Sequence, residues 1–141
     1  MSKVISLRLK DSQVERLERA ARRFGRTALE TATLLLEEAL RQRDFASIEF
    51  RDSPVGRQAY LKGTRLAAWH VAWLTPSFGA DGERLASHLE LPPVVVAAAL
   101  AYTAAYPEEI EAAVADQSRA AEDLPRLIPN MHAVQVDAAA P

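Results

Sequence analysis

Met1-Ser2-Lys3-Val4-Ile5-Ser6-Leu7-Arg8-Leu9 opens the 141-residue chain, and its alternation decides how the rest is read. Ile5, Leu7 and Leu9 alternate with Val4, Ser6 and Arg8. A period of two puts an oily face on one side and a face able to touch polar groups on the other. The residues that follow read as two helices with no second strand among them, so the segment has no ladder partner nearby. Backbone N–H and C=O groups demand partners, and a second copy of the chain is the simplest source. A two-stranded ribbon made that way has the width of a DNA major groove.

Outward from this strand, Asp11-Ser12-Gln13-Val14-Glu15 reads as a helix start, with Ser12 and Glu15 spaced as a capping box. Val14, Leu17, Ala21 and Phe24 recur at helical spacing, and Gly25 suits a left-handed helix end. Thr27-Ala28-Leu29-Glu30 is a second capping box. A helix is expected from there to about Arg43, with Leu29, Ala32, Leu36, Ala39 and Leu40 on one face. A unit of this size has too little core to stand alone, which is a second reason to expect a dimer.

Strand, helix, glycine turn and helix within residues 1–44 resemble the ribbon-helix-helix family of DNA-binding proteins. The resemblance implies an intertwined dimer whose paired strands read bases with their outward residues, here Val4, Ser6 and Arg8. An arginine donates two hydrogen bonds to guanine, a serine bonds either base type, and a valine contacts only a thymine methyl. Val4 departs from the polar residue commoner at its position. The resemblance also implies a phosphate site at the second helix start, here Arg26-Thr27-Ala28, where free N–H groups and the positive dipole end meet an anion. The plainer alternative is a sheet-edge strand followed by a helix pair whose Arg22, Arg23 and Arg26 form a solvated face.

Charge and proline divide the chain near residues 44–54. Residues 1–44 hold 10 Lys and Arg against 7 Asp and Glu, whereas the other 97 hold 7 against 12. All 8 prolines lie at or after Pro54. A basic head thus precedes an acidic body, although the whole chain carries a net charge of only −2. The chain has no cysteine, which excludes disulfides and thiolate metal sites and fits a cytoplasmic protein. Neither a bilayer-spanning run nor a secretory leader is expected.

In the body, Ile48-Glu49-Phe50-Arg51 and Ala59-Tyr60-Leu61-Lys62 read as short strands around the turn Asp52-Ser53-Pro54-Val55-Gly56. Helices are expected at about 66–75, 81–89, 93–105 and 107–122, with Asp81 a cap and prolines opening the last two. The segment Gly56-Arg57-Gln58-Ala59-Tyr60-Leu61-Lys62-Gly63-Thr64-Arg65-Leu66, with Ala98-Ala99-Leu100-Ala101-Tyr102 downstream, resembles a small helical domain of bacterial antitoxins. That domain carries the hairpin signature G-x-P-x-[IV]-x-G-T-R-[IV]. Ala59 stands where the family has proline, and the turn around Gly79 is longer. The two resemblances together are those of a VapB-type antitoxin of a type II toxin–antitoxin system.

They imply a mostly α fold: a ribbon-helix-helix domain at 1–44, a β-hairpin with a winged-helix-like helical bundle at 45–123, and an irregular tail at 124–141. Pro93 to Ala105, in the recognition position, has no Lys or Arg and is too apolar to neutralise phosphates, so it reads as a buried or associating helix. Trp69 and Trp73 read as core or interface anchors. Arg65 is either a contact for an acidic partner or the cation of a structural ion pair.

The tail is apolar and broken by prolines, and no long helix is expected there. It either packs on its own body or orders on a partner. By resemblance it covers a toxin, a metal-dependent PIN-like ribonuclease, through Arg119, Leu124, Arg126, Leu127, Ile128 and Met131, with an arginine aimed at acidic residues. Nothing points to catalysis or to a cofactor: His70, His88 and His132 lack ligand spacing, and no phosphate loop or nucleophile motif occurs.

The function expected is therefore a homodimeric or larger antitoxin that silences its toxin and binds double-stranded operator DNA to repress its own operon, without membrane contact. The alternatives are a stand-alone ribbon-helix-helix regulator with an oligomerisation or sensor domain, and an assembly protein with no DNA role.

Overall fold

A computed structural model of the chain describes residues 2–54 and 56–127, with the backbone alone at 124–127. The chain divides into two compact units, residues 1–44 and 45–141, at the place where charge and proline content change. Each unit is mostly helical among the described residues, and a two-stranded antiparallel sheet lies in the second.

Unit 1 contains α1 (Asp11–Phe24) and α2 (Ala28–Asp44). The residues before α1 form no regular element and no ladder, so the strand expected at 4–9 is not formed within one chain. The physical reason is the one that made it conspicuous: a strand exists only through a neighbour's hydrogen bonds. The cap of α1 also differs from the expected Ser12–Glu15 box. The helix begins two residues earlier, and the Gln13 side chain reaches back to accept the Lys10 N–H at 2.9 Å. Gln13 lies three residues past the cap, and that is the geometry such a bond requires.

Between the helices, Gly25 sits at φ 63°, ψ 34°. Its N–H donates to the Arg22 carbonyl at 3.3 Å, and the Arg26 N–H donates to the Ala21 carbonyl at 3.0 Å. These are the paired bonds of a Schellman end, for which a residue without Cβ is preferred. The start of α2 carries the reciprocal box read from the sequence. The Thr27 N–H donates to Glu30 Oε2, and the Glu30 N–H donates to Thr27 Oγ1, both at 3.1 Å.

Unit 2 begins with a hairpin, β1 (Ile48–Ser53) and β2 (Gly56–Leu61), in which Ile48 faces Leu61 and Phe50 faces Ala59. Those four residues share one face of the pleat, and Ile48, Ala59 and Leu61 are buried. Then come α3 (Ala68–Leu74), a 3₁₀ turn (Thr75–Phe78), α4 (Gly82–Leu89), α5 (Pro93–Ala105) and α6 (Pro107–Leu127). Asp81 caps α4 by accepting the N–H groups of Glu83 and Arg84 at 3.0 and 3.2 Å.

The last helix, expected to end near residue 122, runs in α6 through Pro125 to Leu127. A proline deletes one helical hydrogen bond, here to the Ala121 carbonyl. The helix carries that loss across its final turn.

Two apolar clusters hold unit 2 together. Leu61, Val71, Leu85, Ala86, Val96 and Ala99 form one. Ile48, Ala59, Ala68, Tyr102 and Ile110 form the other, with the Phe45 ring edge-on to Tyr102 at 5.3 Å between centroids. Tyr102 is fully buried, and its hydroxyl donates to Glu109 Oε2 at 2.8 Å, so its polar end is satisfied where its ring is not wet. Leu85→Ala removes a fully buried side chain from the first cluster. It is expected to destabilise unit 2 by about 2–5 kcal/mol, read as a lower urea midpoint with an unchanged slope.

Candidate functional site

The apolar residues of unit 1 are turned outward. Val4 is 94 % exposed, Ile5 85 %, Leu7 76 % and Leu29 78 %, and Leu36 and Leu40 are half exposed or more. Ser6 and Arg8 are exposed as well, so a single chain leaves both faces of residues 4–9 open. The α2 face predicted from Leu29, Leu36 and Leu40 to form a core is therefore uncovered within one chain. The buried residues of unit 1 are Ala21, Thr31 and Glu38. Thr31 Oγ1 donates to the Thr27 carbonyl at 2.8 Å, and no buried side-chain polar atom among the described residues lacks a partner.

In unit 1 Arg41 pairs with Glu37 at 2.8 Å, but the arginines nearer the N-terminus are open. Arg8, Arg16, Arg19, Arg22, Arg23 and Arg26 are exposed, and among the described residues none is in an ion pair. In unit 2, by contrast, Arg51, Arg57 and Arg119 pair with Glu49, Asp52 and Asp116. The Thr27–Glu30 box consumes two of the amides at the start of α2 and leaves those of Ala28 and Leu29 without an acceptor among the described residues. Two free N–H groups, a dipole end and the neighbouring Arg26 make an anion-compatible corner, although the Glu30 carboxylate at the same end works against it. Leu29 is the member that the sequence reading did not include.

In unit 2 the Gly63-Thr64-Arg65 turn has a structural explanation. Gly63 takes φ 76°, and its N–H donates to Glu49 Oε1 at 3.3 Å. Thr64 Oγ1 donates to the Leu61 carbonyl at 2.8 Å and accepts the Leu66 N–H at 3.0 Å. The cation that ties this turn down is Arg51. It donates to the Thr64 carbonyl at 2.6 Å, pairs with Glu49 and lies 4.9 Å from the centre of the Tyr60 ring. Arg65, for which the sequence left a structural ion pair open, is exposed and pairs with none of the described residues. The signal for Arg51 was present in the alternation of β1, which puts Glu49 and Arg51 on the same face.

Helix α5 buries Val96, Ala99 and Tyr102, so the apolar residues that disqualify it as a base reader form core. Trp69 packs partly buried against the second cluster, whereas Trp73 is 58 % exposed. A groove of about 290 Å³ runs between β2, α3 and α6. Ala59, Ala68, Trp69, Ile110 and Ala113 form its apolar lining, and Arg57, Glu109 and Asp116 are among its polar residues. The sequence reading missed this groove. Its trace was the run of alanines along α6, which gives no signal until β2 and α3 are placed against it.

Of the residues expected to hold a partner, Arg119 is exposed and paired with Asp116. Leu124, Arg126 and Leu127 lie in the backbone of the last turn of α6. Ile128 and Met131 lie outside the described residues. No group of three His, Cys, Asp or Glu able to hold a metal ion occurs among the described residues. Among them, too, no single helix is long and apolar enough to cross a membrane. Comparison of the chain with protein-family models, curated proteins and solved structures finds no match.

His70 titrates below its ordinary range. Burial pushes its pKa below 6.5, and its Nδ1 accepts the Ala67 N–H at 3.1 Å, a bond that requires that nitrogen to be bare. The folded state therefore holds its proton less tightly than the unfolded chain. The resulting stability is fully present above pH 6.5 and is lost as the pH falls from there through the folded-state value. Unit 2 is thus expected to show a falling urea midpoint on acidification below that pH, and His70→Gln is expected to flatten the dependence. An equally steep fall in the variant would assign the effect to other groups.

Proposed function

We propose that the chain is a dimeric antitoxin. Residues 1–44 of two copies form a ribbon-helix-helix unit that binds operator DNA, and the remaining residues hold and silence a toxin protein, a PIN-like ribonuclease encoded beside it. The observation that carries the reading is the pairing of an open alternating segment, residues 4–9, with six unpaired guanidiniums on the same small unit. A second copy removes the first anomaly by supplying both the missing ladder and cover for Ile5, Leu7, Leu29 and Leu36. A polyanion removes the second.

In this reading Ile5, Leu7 and Leu9 turn inward to the helices of the dimer. Val4, Ser6 and Arg8 then face the major groove, with Arg8 on guanine O6 and N7 and Ser6 on a neighbouring base edge. The Ala28 and Leu29 amides, with Arg26, hold a backbone phosphate; such contacts fix register while the strand supplies sequence discrimination. Unit 2, whose hairpin and helices fit a winged-helix-like arrangement, reads no DNA, because α5 is spent on the core.

The toxin is held by the end of α6 and the residues after it: Arg119, Leu124, Arg126, Leu127, Ile128 and Met131. A guanidinium from Arg119 or Arg126 suits the carboxylates of a metal-dependent nuclease cleft. A toxin that bridges two dimers raises their effective concentration on adjacent half-sites and tightens the operator complex.

Arg8→Ala is expected to weaken binding to the chain's own promoter DNA by about 1–3 kcal/mol while leaving capture of the co-expressed neighbouring protein intact. Unchanged promoter affinity in that variant contradicts the ribbon reading. Promoter binding by the native chain with no neighbouring protein retained supports a stand-alone regulator instead.

A further inference from the structure

The groove between β2, α3 and α6 serves none of the roles above. Its lining is apolar, with the half-buried Trp69 ring beside the small side chains of Ala59, Ala68 and Ala113 and the side chain of Ile110. Alanines in such a lining leave room for another chain to approach closely. We propose that this groove seats the chain's own C-terminal segment, residues 128–141, folded back along α6.

Chemistry, reach and connection all favour that occupant. Beyond its first residues the segment supplies Val134 and Val136, apolar side chains that suit a lining of alanine, isoleucine and indole. It starts where α6 ends at Leu127, and the groove is lined by α6 residues from Glu109 to Ala120. The helical distance from Leu127 back to Ala113 is about 21 Å. The 14 residues of 128–141 extend to roughly 45 Å, so after a turn at its start the middle of the segment comes level with the Asp116 to Ala120 end of the lining and its last residues come level with Ala113.

The reversal that this path needs is written at its first step. Pro129-Asn130 is a turn-forming pair, with proline favoured at the first central position and asparagine tolerated at the second. A covalently attached segment also competes at an effective concentration on the order of millimolar, above that of a free partner or a second copy. The inference requires neither DNA nor a toxin. Where a toxin takes hold of Ile128 and Met131, the seated segment is the form from which it must draw them.

Trp69 and Trp73 are the only tryptophans, and Trp73 does not line the groove. A Trp73→Phe background therefore makes Trp69 a reporter of the groove, measured at about pH 8 where a histidine is neutral. Ending that chain at Leu127 is expected to shift Trp69 emission to the red and to raise its acrylamide quenching roughly twofold, as a half-buried ring does on losing its cover. A synthetic peptide of residues 128–141 is expected to reverse both changes. The full-length double variant Val134→Asp, Val136→Asp is expected to reproduce them without truncation, with circular dichroism confirming that the helices persist.

Emission and quenching that stay unchanged in both the truncated chain and the double variant overturn the proposal. So does a Trp69 signal in the full-length protein that opens on dilution, because the cover would then be a second copy. Either result leaves promoter binding by residues 1–44 untouched, and so separates failure here from failure of the antitoxin reading.

Discussion

Val4, Ile5, Leu7, Leu29, Leu36 and Leu40 lie half exposed or more in a single chain, and the first 44 residues thus carry apolar surface that they have no means of burying alone. Two short helices joined by a tight Gly25 turn touch along one line only. At about 25 cal/mol for each square ångström left in water, several open leucine-sized side chains amount to several kcal/mol, comparable with the whole stability of a small domain. The same residues that lack cover sit beside a backbone that lacks a ladder. One event, pairing with a second copy, answers both demands, and the proposed function of the chain rests on that coincidence.

The elements most legible in the sequence were those fixed by bonds over three or four residues. Thr27 with Glu30, Gly25 after Phe24, and Asp81 before α4 each stand where the spacing put them, because a cap is a local interaction. Errors arose where two local solutions competed or where the partner was remote. The Gln13 bond to the Lys10 N–H set the helix start two residues before the Ser12–Glu15 box, where neighbouring local solutions compete. The last helix, expected to about residue 122, instead runs past Pro125 to Leu127. The Arg51 clasp on Thr64 joins residues 13 apart, so the alternation of β1 shows its pairing with Glu49 but not its hold on the turn, and the groove beside Trp69 needs three elements placed together.

The two units also differ in how many of their arginines meet a carboxylate. In unit 2 the guanidiniums of Arg51, Arg57 and Arg119 meet carboxylates close by in sequence, and the Arg51 group is part of the hairpin's architecture. In unit 1 Arg41 meets Glu37, whereas the guanidiniums from Arg8 to Arg26 face solvent without partners among the described residues. Surface pairs are worth little individually, so the contrast concerns what each surface is available to meet. A net charge of −2 for the whole chain conceals a cationic head able to meet a polyanion.

The central claim is that residues 4–9 form a strand in the company of a second chain, and amide hydrogen exchange on the full-length protein tests it residue by residue. A paired antiparallel ribbon protects those amides in alternation, and the protection weakens on dilution as the dimer separates. Free-chain exchange at every amide from Val4 to Leu9, at all protein concentrations, would contradict it.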